Sequence, residues 1–146
     1  MNQGDKVVLR TRFKDFLDNE SEYSDFIRVC NHKTRKKGRF TYGQEQIWDR
    51  FTQANVEYAG LSALDVADAF RICHVHKILL VEVQIPVIKG MWDMSLNRDL
   101  ELAIVRDAPY SETIAIDTND GFSYVEVEHC SECLQARKKL EEHSAC

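Results

Sequence analysis

Apolar residues in the first half of the chain recur at helical spacing. Leu9, Phe13, Phe16 and Leu17 fall at i, i+4, i+7 and i+8, and Tyr23, Phe26, Ile27 and Cys30 at i, i+3, i+4 and i+7. This is the period of helices that bury one face. A third helix is expected from about Gly43 to Asn55 with Ile47, Trp48 and Phe51 inward. A fourth starts at Ser62, a good N-cap residue, with Leu64, Ala67 and Phe70 on one side. Gly60 separates the last two. Because each aromatic stripe keeps helical spacing, the rings read as core and not as a ligand box.

After Cys73 the period shortens. Val81, Val83 and Ile85 alternate with Glu82 and Gln84 in a β-branched run from Ile78, and Pro86 with Gly90 is expected to end that strand. Leu100, Leu102 and Ile104 alternate with Glu101, Ala103 and Val105 and predict a second strand. Glu112 to Ile116 predicts a third, and the turn-forming Asp117 to Gly121 leads to a fourth, Phe122 to Glu128, as a hairpin. From Ser131 onward, the charged stretch Leu134 to Glu142 reads as a C-terminal helix whose Arg137, Lys138 and Lys139 suit the negative end of its dipole. The expected class is α+β: a helical N-terminal half packed on a small, mainly antiparallel sheet with a C-terminal helix.

The 146 residues and 16.9 kDa fit one domain over 1–146, helical over residues 1–72 and mostly strand over residues 73–146. With 44% hydrophobic residues and only eight Gly and Pro, disordered and collagen-like chains are excluded. The apolar runs are too short for a bilayer span. The opening Met1 to Lys6 lacks the basic-then-apolar order of a signal peptide, so a cytoplasmic protein without a membrane partner is expected.

A net charge of −5 and a pI near 5.5 disfavour a general nucleic-acid binder. The charge is uneven. Lys33, Arg35, Lys36, Lys37 and Arg39 place five cations in seven residues, whereas Asp93 through Glu128 holds nine acids against Arg98 and Arg106. The basic run reads first as a solvated loop helped by Gly38. Its alternative reading is an anion or nucleic-acid contact, with Phe40 and Tyr42 available to stack on bases.

Five Cys and five His are the unusual counts. An odd number of thiols without an export signal points to reduced cysteines and metal or redox chemistry. Cys73-His74-Val75-His76 and His129-Cys130-Ser131-Glu132-Cys133 each hold two candidate ligands separated by two residues. Tetrahedral zinc needs four ligands, and a tight turn with that gap aims two side chains at one point. The predicted set is Cys73, His76, Cys130 and Cys133 around a structural zinc that clamps the sheet, with His74 or His129 as substitutes for one ligand. A helix N-terminus at Cys130 and Cys133 favours thiolates. Cys30, with Asn31 and His32 beside it, falls on the apolar face of its helix and reads as a buried structural thiol. Cys146 and His143 are terminal and carry no expectation.

The stretches Ala69 to His76, Val83 to Gly90 and His129 to Arg137 resemble small bacterial proteins of uncertain role. These carry Cys-x-x-His, an apolar strand with a Pro-containing loop, and Cys-x-x-Cys opening a basic helix. The same stretches look like a treble-clef or zinc-ribbon arrangement with an insertion. The resemblance covers about half the chain, 69–90 and 122–140, and implies a structural zinc without established catalytic chemistry. The acidic, Gly-poor segment between the two stretches departs from the pattern.

A zinc-dependent deaminase or hydrolase is the enzyme class whose ligand types come nearest. Its first motif fails, because His74 is followed by Val75 and His76 and not by a Glu two positions on that would shuttle protons. Glu132 and Glu82 are the nearest acids in sequence. Nucleophile and phosphate-loop motifs are absent from the sequence. The expected function is a non-catalytic, zinc-stabilised module that binds a protein partner, as immunity proteins and antitoxins do. A nucleic-acid-binding zinc protein that uses the basic 33–39 segment is the alternative.

Overall fold

The computed structural model describes residues 1–89, 98–113, 115–117 and 124–144. The chain divides into two compact units, Met1–His74 and Val75–Cys146. The α+β class holds.

The first unit is helical. Its helices are α1 (Gln3–Leu17), α2 (Glu20–Val29), α3 (Arg35–Lys37), α4 (Tyr42–Ala54) and α5 (Ala63–Ala69), and all but the short basic α3 follow the predicted apolar stripes. Reciprocal capping boxes start three of them, Asn2 with Asp5, Thr41 with Gln44 and Ser62 with Asp65. Inside lie Leu9, Phe13, Phe26, Ile27, Phe51, Val66 and Phe70. Phe13 is central, with ring centroids 4.5 Å from Phe26 and 5.2 Å from both Phe51 and Phe70. Two expected core residues stand out of the cluster: Phe16 is 39% exposed and Leu64 51%. In α5 the buried stripe is Val66, Ala67 and Ala69 followed by Phe70, because Leu64 in the first turn has no layer above it.

The basic run is not a loop. A π-helical turn, Cys30–Thr34, joins α2 to α3, so that Lys33 and Arg35–Lys37 belong to one continuous helix that stops at Gly38 (φ 71°). The widened turn carries a buried polar network. Asn31 Nδ2 donates to the Ile72 carbonyl at 2.8 Å, Thr34 Oγ1 donates to Gln44 Oε1 at 2.6 Å, and Gln44 Nε2 donates to Cys30 Sγ at 3.3 Å. Arg35 donates to Asn31 Oδ1 and to the Ala67 carbonyl. Among the described residues no buried side-chain N or O lacks a partner, which is what lets Asn31, Thr34 and Gln44 sit in a core.

The second unit holds β1 (Val81–Lys89), α6 (Arg98–Asp107), β2 (Ala115–Asp117), β3 (Tyr124–His129) and α7 (Ser131–Ser144). Strand order is β2-β1-β3. β1 pairs antiparallel with β3 over six positions, from Val81 opposite His129 to Pro86 opposite Tyr124, and parallel with β2 over three. The sheet is therefore mainly antiparallel.

Three expectations fail here. Leu100 to Val105 is helical, not a strand: its half-buried positions are Leu100, Ala103, Ile104 and Asp107, an i, i+3, i+4, i+7 set, while Leu102 and Val105 are exposed. β2 and β3 flank β1 and do not pair with each other, so they form no hairpin; the turn at 118–121 and residues 122 and 123 lie outside the described residues, as does Gly90. Pro86 does not end β1. Having no amide hydrogen, it stands opposite the first residue of β3, where that ladder finishes, and the strand continues by pairing Val87 with Ala115 of β2.

Candidate metal centre

Residues 74–76 form a turn, and Lys77 behind it adopts a left-handed conformation (φ 60°) that redirects the chain toward β1. Cys73 and His76 stand at the two ends of that Cys-x-x-His segment. The other pair stands where β3 ends: Cys130 immediately precedes α7 and Cys133 lies in its first turn. The Cys130 amide donates to the Tyr110 carbonyl at 3.0 Å, which anchors the entry to the helix. The Cys133 amide donates to Cys130 Sγ at 3.4 Å, so this sulfur faces the positive end of the helix.

The four side chains converge. One ligand atom from each of Cys73, His76, Cys130 and Cys133 lies within 4.8 Å of all the others. His76 Nδ1 is 3.5 Å from Cys130 Sγ and 3.3 Å from Cys133 Sγ. Zn–S bonds near 2.3 Å and Zn–N bonds near 2.0–2.1 Å in a tetrahedron put sulfur about 3.6 Å from nitrogen and about 3.8 Å from another sulfur. The imidazole-to-sulfur spacings therefore match zinc with little adjustment. Cys73, Cys130 and Cys133 are fully buried and form no disulfide, and His76 is half-buried. Three soft sulfurs and one imidazole are a donor set that suits zinc over calcium or magnesium. Asp107, at the end of α6, is held below the usual carboxylate range mainly by hydrogen bonds from Arg106, with a smaller contribution from the nearby His76.

The other candidates lie elsewhere. His74 is half-buried with its ring 6.2 Å from that of His32, and it borders a shallow depression lined also by Ser21, Glu22, Ser24, Asp25 and Arg28. His129 Nε2 lies 2.5 Å from the Glu112 carbonyl, which occupies the ring in a backbone contact. Cys30 is fully buried in the helical core, and burial pushes its thiol up to about 12. His143 is exposed, and Cys146 lies outside the described residues. Lys33, Lys36, Lys37 and Arg39 are exposed, whereas Arg35 is engaged by the polar network.

Two supports of this region were not foreseen from sequence. Asn31 holds the carbonyl of Ile72, the residue before Cys73, and the Tyr110 carbonyl holds Cys130. For Asn31 a signal existed: Tyr23, Ile27, Asn31 and Thr34 continue the buried stripe of α2 past Cys30. No helix among the described residues is long and apolar enough to cross a membrane. Comparison with known protein families, with curated proteins and with solved structures finds no match to this chain.

Proposed function

We propose that the chain is a non-catalytic binding module stabilised by one zinc ion on Cys73, His76, Cys130 and Cys133, and that its partner is a protein with a basic surface. The convergence of the four ligand atoms carries the reading. Four protein ligands close the tetrahedron of a structural site, whereas a catalytic zinc keeps a position open for water. The succession of a two-ligand turn, β1, its antiparallel partner β3 and a helix that opens with two ligands favours the treble-clef or zinc-ribbon likeness. Reduced cysteines suit a cytoplasmic setting.

The protein partner is argued from one face of the sheet. Glu82, Gln84 and Pro86 stand opposite Glu128, Glu126 and Tyr124, and of these only Glu128 is half-buried, the rest being exposed. The second unit carries seven Lys and Arg against thirteen Asp and Glu. An exposed tyrosine among carboxylates is the chemistry with which an immunity protein or antitoxin caps the basic site of an enzyme.

Native mass spectrometry of the reduced chain tests the metal: one zinc per chain is expected, lost in Cys130→Ser, and a zinc-free purified protein overturns the proposal. For the partner, the wild-type chain and a Glu82→Lys, Glu126→Lys variant serve as paired baits. A stoichiometric basic protein held by the first and lost by the second is the expected result. Equal recovery by both overturns the partner assignment.

A further inference from the structure

In Met1–His74 most cations are spent on the fold. Lys6, Arg12, Lys14 and Arg28 pair with Asp68, Glu57, Glu20 and Asp25. Arg10 donates to the Ala69 carbonyl and Arg35 to Asn31 and the Ala67 carbonyl. Lys33, Lys36, Lys37 and Arg39 differ: all four are exposed, and none has an ion-pair or hydrogen-bond partner among the described residues. Arg50 on α4 shares that condition but stands outside the run. Lys33, Lys36 and Lys37 lie three and four residues apart along one continuous helix. At that spacing like charges on a helix repel, so folding gains nothing by gathering them. A helix C-terminus favours a cation in its last turn, but this accounts neither for four of them nor for the aromatic beside them.

The two aromatic residues after the run have separate roles. Phe40 is half-buried, its ring 6.0 Å from Trp48 and 6.3 Å from Phe26, and belongs to the helical core. Tyr42, the first residue of α4, is 77% exposed. The Thr41 capping box fixes the backbone from which its ring projects into water. Its unit is near neutral, with twelve Lys and Arg against eleven acids, yet none of these acids forms an ion pair with the four cations among the described residues.

From this we infer that Lys33, Lys36, Lys37, Arg39 and Tyr42 form a contact site for single-stranded nucleic acid. The four cations take successive phosphates, and the phenol ring stacks on an unstacked base. An exposed aromatic beside cations is the device of sequence-tolerant single-strand binding, whereas a duplex would offer the ring no free base face. The site uses none of the metal ligands and none of the residues proposed to meet the protein partner.

Fluorescence anisotropy of the full zinc-loaded chain with a labelled 15-nucleotide oligo(dT) or oligo(U) tests it. Binding is expected to weaken with salt, and Lys36→Gln with Lys37→Gln should lower the slope of log K against log salt by about 1.4, from ~0.7 per phosphate released. Tyr42→Ala should weaken binding about tenfold, within the range of one stacked base. Lys138→Gln with Lys139→Gln, which removes two exposed cations of α7, should leave it unchanged. Binding to a duplex of the same length as tightly as to the single strand, an effect of the α7 variant equal to that of the 36/37 variant, or no response to Tyr42→Ala would each overturn the inference. So would preferential binding to vesicles containing anionic phospholipid.

Discussion

Cys30 and Cys130 are both fully buried cysteines that directly precede or follow a helical turn, yet their surroundings give them different chemistry. Around Cys30 are aromatic rings and the Gln44 amide, and the thiol is pushed up to about 12, chiefly by desolvation. Around Cys130 are His76, the Cys133 amide and two other sulfurs. Since thiolate is the reactive form, the thiol count should rise in steps. In the zinc-loaded protein Cys73, Cys130 and Cys133 are shielded from a thiol reagent; chelation frees these three, and Cys30 reacts only when the helical unit unfolds. Reaction of Cys30 together with the other three on chelation would contradict this. The convergence of Cys73, His76, Cys130 and Cys133 was legible because the spacing within each pair is local, and a turn of fixed length determines which two side chains meet. Choosing between His74 and His76 was not local, because it depends on how Lys77 turns the chain.

At the level of elements, the strand expected over Leu100 to Val105 gives way to the helix α6 for a physical reason. Leu100 to Val105 alternates, but Leu100, Ala103 and Ile104 also keep a helical period, and a short run supports both. Leu, Ala, Glu and Arg in that segment are helix formers, and this decides in favour of the helix. The π-turn in Cys30–Thr34 was equally hidden, because the partners of its Asn31 and Thr34, Ile72 and Gln44, lie outside the helix itself. The β1–β3 ladder shows the reverse, a local pattern that sets one face. Alternation puts Glu82 and Glu126 on the exposed face, where their mutual hydrogen bond and repulsion raise the Glu126 carboxyl above its ordinary value near 4.5. A raised native value means that folding favours the protonated acid. The resulting stabilisation is present below about pH 4.5 and is lost as pH rises through the raised value. Glu126→Gln should therefore raise the melting temperature at pH 7 by on the order of 1–3 °C, with no gain at pH 4. Thermal scans at the two pH values decide it, and a gain of equal size at both would mean that charge repulsion is not the cause.

For the whole molecule, burial is unevenly divided. Met1–His74 owns an aromatic core, with Phe13 in contact with four other rings within 6 Å. Among the described residues of Val75–Cys146, the buried apolar side chains other than cysteine are Leu80, Ile85, Ala108 and Tyr110. That is little buried apolar area for the described residues of this unit, and small domains with a small core rely on a metal or disulfides. Zinc bound to a structural site contributes on the order of 10 kcal/mol, comparable to the whole stability of a typical domain. The expectation is that chelation unfolds β1, β3 and α7 while the helical unit stands. Trp48 lies in the helical core and reports on it alone once Trp92, which lies outside the described residues, is replaced by Phe. In the Trp92→Phe chain, chelator should lower the far-ultraviolet helical signal by the share of α7 and leave the Trp48 thermal transition within a few degrees of its zinc-loaded value. If the Trp48 transition collapses together with the helical signal, the metal supports the helical core as well, and the division of stability between the two units is wrong.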